Sequence, residues 1–451
     1  MTTHEVDVVV VGLGPGGEAL AATLARSGLS VVGVDRRLVG GECPYYGCIP
    51  SKMMIRAADS LAEARRVDDL AGHADVSAAW GTVATRIRDE ATDDWDDKVA
   101  VERLEAAGAR FVRGHGRLVG EGRVRVDDDE YVAARGVVLN TGTEPGVPPI
   151  DGLADTPYWT NREVMRVTEA PESLAVIGGG AIGLELAQAF RRFGVRVTVL
   201  EGADRILALE EPESSEVVRG AFARDGIDVR TGVKIERVSH DGGFHLVVDG
   251  ADLDADALLV AAGRRPNLAD IGLETVGLDP SARSLDPDEQ MRVGDRLWAI
   301  GDITGKGAFT HVSMYQNAVA ARSLLGEDGP WADYRSVSRV TFTDPEVGAV
   351  GLTESQARDR GLDVGTGLAK LEESSRGFIH KAGNEGVIKL VADRGRGVLV
   401  GGTAVGPSGG EVLGLIAAAV HGEIPVASLR TMHFAYPTFH RAIETALADL
   451  G

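Results

Sequence analysis

A strand, a glycine-rich turn, a helix and a second strand ending on an acid occur twice in this chain. That repeat constrains the fold more than any other feature. The first copy runs EVDVVVVG, Gly12-Leu13-Gly14-Pro15-Gly16-Gly17, EALAATLARSG and SVVGVD, ending at Asp35, 23 residues beyond the first glycine. Its continuous apolar run suits a strand buried on both faces of a parallel sheet. The second copy runs SLAVIGG, Gly178-Gly179-Gly180-Ala181-Ile182-Gly183, LELAQAFRRFG and VRVTVLE, ending at Glu201, again 23 residues on. In such a βαβ unit the glycines let the backbone approach a pyrophosphate at a helix N-terminus, and the acid binds ribose hydroxyls. Two copies with matching acid spacing imply two different dinucleotides. Candidate contacts are Gly12, Gly14, Pro15, Gly17 and Asp35 in the first, and Gly178, Gly180, Ile182, Gly183 and Glu201 in the second.

Around these units the pattern varies. Residues 50–110 read as helical, and FVRGHGRLVGEGRVRVDDDEYVAARGVVLNTGT reads as β-hairpins with glycine turns. GVKIERVSHDGGFHLVVDG is another hairpin region, while ALLVAAGRRPN and RLWAIGDITG each add a short strand. From about residue 336 the character changes to strand–turn–strand patterns, a helix near 409–422 and a final helix after Pro437. The fold class is α/β, with two Rossmann-like dinucleotide-binding domains and a C-terminal α+β domain. With 44% hydrophobic residues in 451, the chain has material for sizeable cores. Its net charge of −21 argues against nucleic-acid or anionic-membrane partners, which need clustered Lys and Arg. No apolar stretch is long enough to span a bilayer. The N-terminus enters a strand without a basic leader, so the expected compartment is the cytoplasm.

Only two cysteines occur, Cys43 and Cys48. They cannot make a disulfide framework for a chain this long or ligate a structural zinc alone, so no metal site is expected. A close pair in a reducing compartment reads as catalytic redox chemistry. They lie in Gly40-Gly41-Glu42-Cys43-Pro44-Tyr45-Tyr46-Gly47-Cys48-Ile49-Pro50-Ser51-Lys52, ahead of a helical pattern. Pro50 is acceptable in a first helical turn, which places Cys48 near that helix's N-terminus. The dipole there favours a thiolate, and Lys52 adds positive charge one turn later.

The chain resembles the class I pyridine nucleotide-disulfide oxidoreductases, the group of glutathione reductase, dihydrolipoamide dehydrogenase and mercuric reductase. The most specific piece is GGECPYYGCIPSK, supported by GLGPGG, NTGTEP, GGGAIGLE, AAGRRPN, AIGD and FTDPEVGAVGLTE. The resemblance implies an FAD-binding domain in two parts, 1–150 and 269–335, an NAD(P)-binding domain at 151–268 and a dimerisation domain at 336–451. It implies an FAD-dependent enzyme passing electrons from the nicotinamide through FAD to a Cys43–Cys48 disulfide, and on to a small-molecule acceptor. Cys48 would face the flavin and Cys43 the substrate; Lys52 would pair with Glu185 beside the flavin. Gly41, Thr141, Gly142, Gly263, Gly301 and Asp302 join the cofactor contacts, with Asp302 on the ribitol. Glu201 favours NAD(H) over NADP(H), although Arg205 close downstream could soften its repulsion of a 2′-phosphate. The partner expected is a second copy of the chain.

One family feature is altered. The family ends with a His-Pro-Thr segment whose His, held by a Glu five residues later, is the acid–base partner of the outer thiol. Here Tyr436 stands at the His and Arg441 at the Glu. Tyrosine is a poor base near neutrality but donates a hydrogen bond. His440 is the other candidate: if Thr438 caps the last helix, His440 and Glu444 become i, i+4 neighbours and a substitute dyad. A Tyr near this place is similar to mercuric reductase, but the C-terminal ALADLG lacks that family's cysteine pair. The expected activity is dihydrolipoamide dehydrogenase-like, with mercuric, metal-ion or quinone reduction as an alternative. A flavin-dependent redox sensor acting on a protein partner is the reading from another class.

Overall fold

The computed structural model describes residues 2–450 and divides into two compact units. The first takes in the chain up to Pro50, Arg86–Pro145 and Arg264–Tyr334. Its core is a parallel sheet in the order Leu297–Ala299, Asp129–Leu139, Thr2–Val11, Val31–Asp35, Arg110–Arg113. The valine run explains why both faces are covered. Val8 and Val10 pack with Leu20, Leu24, Leu104 and Val319 on one side. Val9 and Val11 pack with Leu118, Tyr131 and Leu297 on the other. Side chains alternate across a strand, so an unbroken apolar run satisfies two layers at once.

The hairpin expectation for residues 111–143 needs a correction. Arg117–Leu118, Arg123–Val126 and Asp129–Leu139 do pair antiparallel in sequence. Arg110–Arg113 instead runs parallel to Val31–Asp35 at the sheet edge. Alternating Val and Arg specifies a half-buried strand, but not the neighbour that buries it.

The second unit comprises Ser51–Thr85, Gly146–Gly263 and the chain from Arg335. It holds a second parallel sheet, in the order Asp228–Thr231, Arg196–Glu201, Ser173–Ile177, Ala257–Val260. A three-stranded meander, Ile235–His240, Phe244–Val248 and Ala251–Ala255, packs against it through Val238, Leu246 and Leu258. The C-terminal region is a five-stranded antiparallel sheet. Helices Gly409–His421 and Ala442–Asp449 cover it, burying Leu413, Ile416, Ile443 and Leu447 against Ile388 and Leu390. Among the described residues no helix is long and apolar enough to cross a membrane.

Candidate active site

The two glycine turns obey one geometric rule. Gly12 has φ +96°, and a Cβ there would lie 2.2 Å from the Asn140 carbonyl oxygen. A Cβ on Gly17 would lie 2.1 Å from the Gly12 oxygen. In the second turn Gly178 has φ +116° with the Ala261 oxygen 2.4 Å away, and Gly183 meets the Gly178 oxygen at 2.1 Å. A side chain at Gly12 or Gly178 would push the turn from the end of the neighbouring strand, and one at Gly17 or Gly183 would push the helix from its turn, so contact requires glycine at all four and the dihedral requires it at the first two. Gly14 and Gly180 precede helices Pro15–Arg26 and Ala181–Arg192 in extended conformation. Pro15 fills the first position of its helix. The Leu13 amide donates to Asp35 Oδ2 at 2.7 Å, and the Gly179 amide donates to Glu201 Oε2 at 2.6 Å. Each acid thus ties the end of its strand to its own turn. Burial pushes the Asp35 carboxyl above its ordinary value, against the backbone amides of Arg37 and Leu13.

Several side chains that sequence reasoning passed over enclose the first turn. Asn140 Nδ2 donates to the Gly12 oxygen, and its Oδ1 accepts from Ser313. Gly41, at φ +69°, abuts Gly14, whose Cα would lie 2.8 Å from any added Cβ. Thr141 Oγ1 donates to the Asn267 oxygen at 2.8 Å, and Gly142 follows at φ +66°. The Gly301 amide donates to buried Gln316, and Asp302 Oδ2 accepts from Thr143 Oγ1 at 2.7 Å. Arg264 donates from Nε to Thr143 Oγ1 and from Nη2 to Glu42, the residue before Cys43. Asn140, Thr143 and Arg264 sit inside NTGTEP and AAGRRPN, so those motifs marked their location without marking their contacts.

Cys43 lies in the short helix Glu42–Tyr46, and Cys48 opens the helix Cys48–Arg65. Cys43 is half-buried and Cys48 exposed, and no disulfide joins them. Cys48 Sγ is 3.4 Å from the hydroxyl of Thr310, the first residue of the helix Thr310–Leu325. A hydrogen bond to Cys48, and then burial, push the Cys43 thiol well above its ordinary value, with Thr310 opposing. Tyr45, buried between the cysteines, is pushed up to about 12 by burial and then by Asp97. It does not titrate near neutrality.

In the second unit Lys52 Nζ donates to Glu185 Oε2 at 2.7 Å. Glu185 is 5% exposed, and its other oxygen accepts the Phe342 amide at 2.8 Å. The ammonium also lies 4.6 Å from the centre of the Phe342 ring. Ile182 stands exposed on the first turn of Ala181–Arg192, and Gly263 has φ +107° at the end of the strand Ala257–Val260. Arg205 is held within its own loop. Its guanidinium donates to the carbonyls of Leu207, Ala208 and Glu210 and to Ser215, which commits it to its own loop.

The C-terminal segment carries Tyr436 and His440. Tyr436 is 66% exposed, with the Arg441 guanidinium 5.0 Å from its ring centre. Residues Phe439–Arg441 form a 3-10 turn before the α-helix begins at Ala442, and Thr438 donates to the Ala435 oxygen without capping. Residues three apart at a helix start are surface neighbours. Glu444 therefore accepts from Arg441 Nε at 2.9 Å, and His440 packs beside Phe434. The His440–Glu444 dyad does not form. Among the described residues no group of three or more His, Cys, Asp or Glu is arranged to hold a metal ion.

Both turns fit a dinucleotide, with glycine backbone at the helix start and an acid at the next strand's end. Comparison with known proteins agrees. Residues 6–321 match the pyridine nucleotide-disulphide oxidoreductase family, and residues 337–447 match that family's dimerisation domain. The chain is 34% identical to the dihydrolipoyl dehydrogenase of Mycobacterium leprae (strain TN), covering 99% of this chain and 98% of the relative. It is 33% identical to the mercuric reductase of Shigella flexneri, covering 96% and 79%. A Cu(II) complex of the HOCl-induced flavoprotein disulfide reductase RclA from Escherichia coli superposes with a TM-score of 0.86. That pair is 26% identical, over 99% of each chain.

Proposed function

The chain belongs to the pyridine nucleotide-disulphide oxidoreductases, flavoprotein enzymes that use FAD and a pyridine nucleotide, and on that premise we propose that it reduces a thiophilic metal ion with electrons from NADH. FAD, when bound, would supply two-electron chemistry between the nicotinamide and the Cys43–Cys48 pair. Gly12, Gly14, Pro15, Gly17 and Gly41 would line its diphosphate, Asp35 would take its ribose, and Thr141, Gly142, Gly301 and Asp302 would hold the remainder. Gly178, Gly180, Ile182, Gly183 and Gly263 receive the nicotinamide nucleotide. Glu201 accepts from its ribose hydroxyls and repels a 2′-phosphate. Arg205 spends its donors on its own loop, which leaves them unavailable to a 2′-phosphate and supports NADH. Lys52, held by buried Glu185, supplies a fixed positive charge one turn along the helix from Cys48. The dimerisation domain supports a homodimer.

The observation that carries the choice of acceptor is the pairing of Glu444 with Arg441, beside a tyrosine where the family's histidine stands. Exchange with an organic disulfide or dithiol needs a base for the outer thiol, and the hydrogen bond to Cys48 and burial both push the Cys43 thiol up. A thiophilic cation needs no such base, because coordination itself displaces the proton. The electrons balance as NADH + Hg(II) → NAD⁺ + Hg(0) + H⁺, or with two Cu(II) becoming two Cu(I). The mercuric reductase relatives and the Cu(II) complex of RclA support this class of acceptor.

The test compares NADH oxidation with Hg(II), Cu(II), lipoamide and a naphthoquinone. Metal-dependent turnover should exceed lipoamide turnover by about a hundredfold, within the range that acid–base catalysis contributes. It should vanish in Cys43→Ser. The reverse order would return the dihydrolipoamide reading. Rates indifferent to Cys43→Ser and Cys48→Ser would mean the acceptor is reduced without the pair.

A further inference from the structure

We propose that Trp95 is a positioning residue for the cysteine pair, clamping the segment between Cys43 and Cys48 and setting how readily their disulfide is reduced. The helix Glu42–Tyr46 has five residues, so its C-terminal carbonyls have no helical partners. One of them, the Tyr45 oxygen, accepts from the Trp95 indole nitrogen at 3.0 Å. Tyr45 stands two residues from Cys43 and three from Cys48, so this bond fixes the middle of the ring that the disulfide closes.

The backbone that delivers Trp95 is unusual. Asp93, Asp94 and Trp95 take left-handed dihedrals in succession, with φ of +47°, +53° and +58°. Aspartate tolerates this region, but for a bulky tryptophan it is a true outlier. The turn follows a π-helical segment, Ile87–Ala91. Thr92 closes that segment by donating to the carbonyls of Ile87 and Arg88, and the Asp94 amide donates to the Arg88 oxygen. Two residues after Trp95, buried Asp97 accepts from the Val39 amide at 2.7 Å and from Arg113 at 2.6 Å. The strained turn is thus pinned at both ends, and Val39 is the residue before Gly40-Gly41-Glu42-Cys43. Strain of this kind persists only where the surroundings impose it. Here it aims the indole N–H at the redox segment.

Holding the Tyr45 carbonyl limits how far the short helix can swing from the start of Cys48–Arg65, and so raises the effective concentration of one sulfur at the other. Losing the bond should make the disulfide easier to reduce. The inference rests on the reading of Cys43 and Cys48 as a redox couple. The FAD-loaded enzyme is equilibrated with graded dithiothreitol buffers, and the fraction of Cys43–Cys48 disulfide is read by thiol alkylation and mass spectrometry. Trp95→Phe, which removes the N–H, should shift the equilibrium toward the dithiol by about three- to tenfold, the worth of one hydrogen bond. Benzothienylalanine at position 95, which keeps the bicyclic ring but lacks the N–H, should give the same shift and guards against a misfolded Phe variant. An unchanged equilibrium in either well-folded variant, or a shift toward disulfide, would overturn the clamp while leaving the redox couple intact. A wild-type protein with no reducible Cys43–Cys48 disulfide would overturn both.

Discussion

The two glycine turns share their covalent logic and differ in how closely they are walled. Gly12 and Gly178, Gly17 and Gly183, and the amide bonds to Asp35 and Glu201 are near copies. Around the first turn, however, a Cβ on Gly16 would lie 2.1 Å from Ser313 Oγ, Gly41 closes on Gly14, and Asn140 reaches into the turn. Around the second, a Cβ on Gly180 would meet nothing within 4 Å, and Ile182 beside it is exposed. One local rule therefore serves two ends: an enclosed turn suits a cofactor that stays, and an open turn suits a nucleotide that enters and leaves in each cycle.

Breaking each turn should separate those roles. Gly17→Val forces a side chain onto the Gly12 carbonyl, and purified protein should carry little or no FAD by its visible absorbance. Gly183→Val makes the same clash in the second turn. It should retain FAD yet lose NADH-driven flavin reduction, by about a hundredfold or more if the misplaced backbone spoils hydride geometry. If both variants lose FAD equally, the comparison is wrong. Glu201→Gln is milder: losing charge-assisted bonds worth about 1.5 kcal/mol should lower kcat/KM for NADH about tenfold and narrow its advantage over NADPH. The smallest effect belongs to Asp35. Its folded pKa is raised, so the ionised form that accepts from both amide and ribose is lost early as pH falls. In the apoprotein the sign is opposite, because the raised value favours the folded state below the unfolded pKa and that gain disappears as pH rises. FAD affinity should therefore fall on acidification sooner than an ordinary carboxylate would make it, and Asp35→Asn should flatten that dependence in a fluorescence titration.

What the chain made legible was local. The valine run, the obligatory glycines and Pro50 in the first turn of Cys48–Arg65 each act on their immediate neighbours, and each could be read directly. What escaped depends on partners far along the chain. Thr310 meets Cys48 across 262 positions, and nothing in GAFTHV announces that contact. The left-handed turn at Asp93–Trp95 contains no glycine or asparagine to signal it. A 3-10 turn in place of the first turn of the last α-helix gave Glu444 to Arg441 instead of His440, and helical periodicity alone could not distinguish the two. The four bonds that hold Arg205 within its loop likewise had no sequence signature.

The central claim is that electrons from NADH come to rest on Cys43 and Cys48, with Cys48 the charged sulfur beside the flavin. Anaerobic titration of the FAD-loaded enzyme with NADH, followed by absorbance, tests it most directly. The account predicts a long-wavelength thiolate–flavin charge-transfer band that persists in Cys43→Ser and disappears in Cys48→Ser. A band that survives Cys48→Ser, or two-electron reduction that bleaches the flavin without any such band in the wild type, would contradict it.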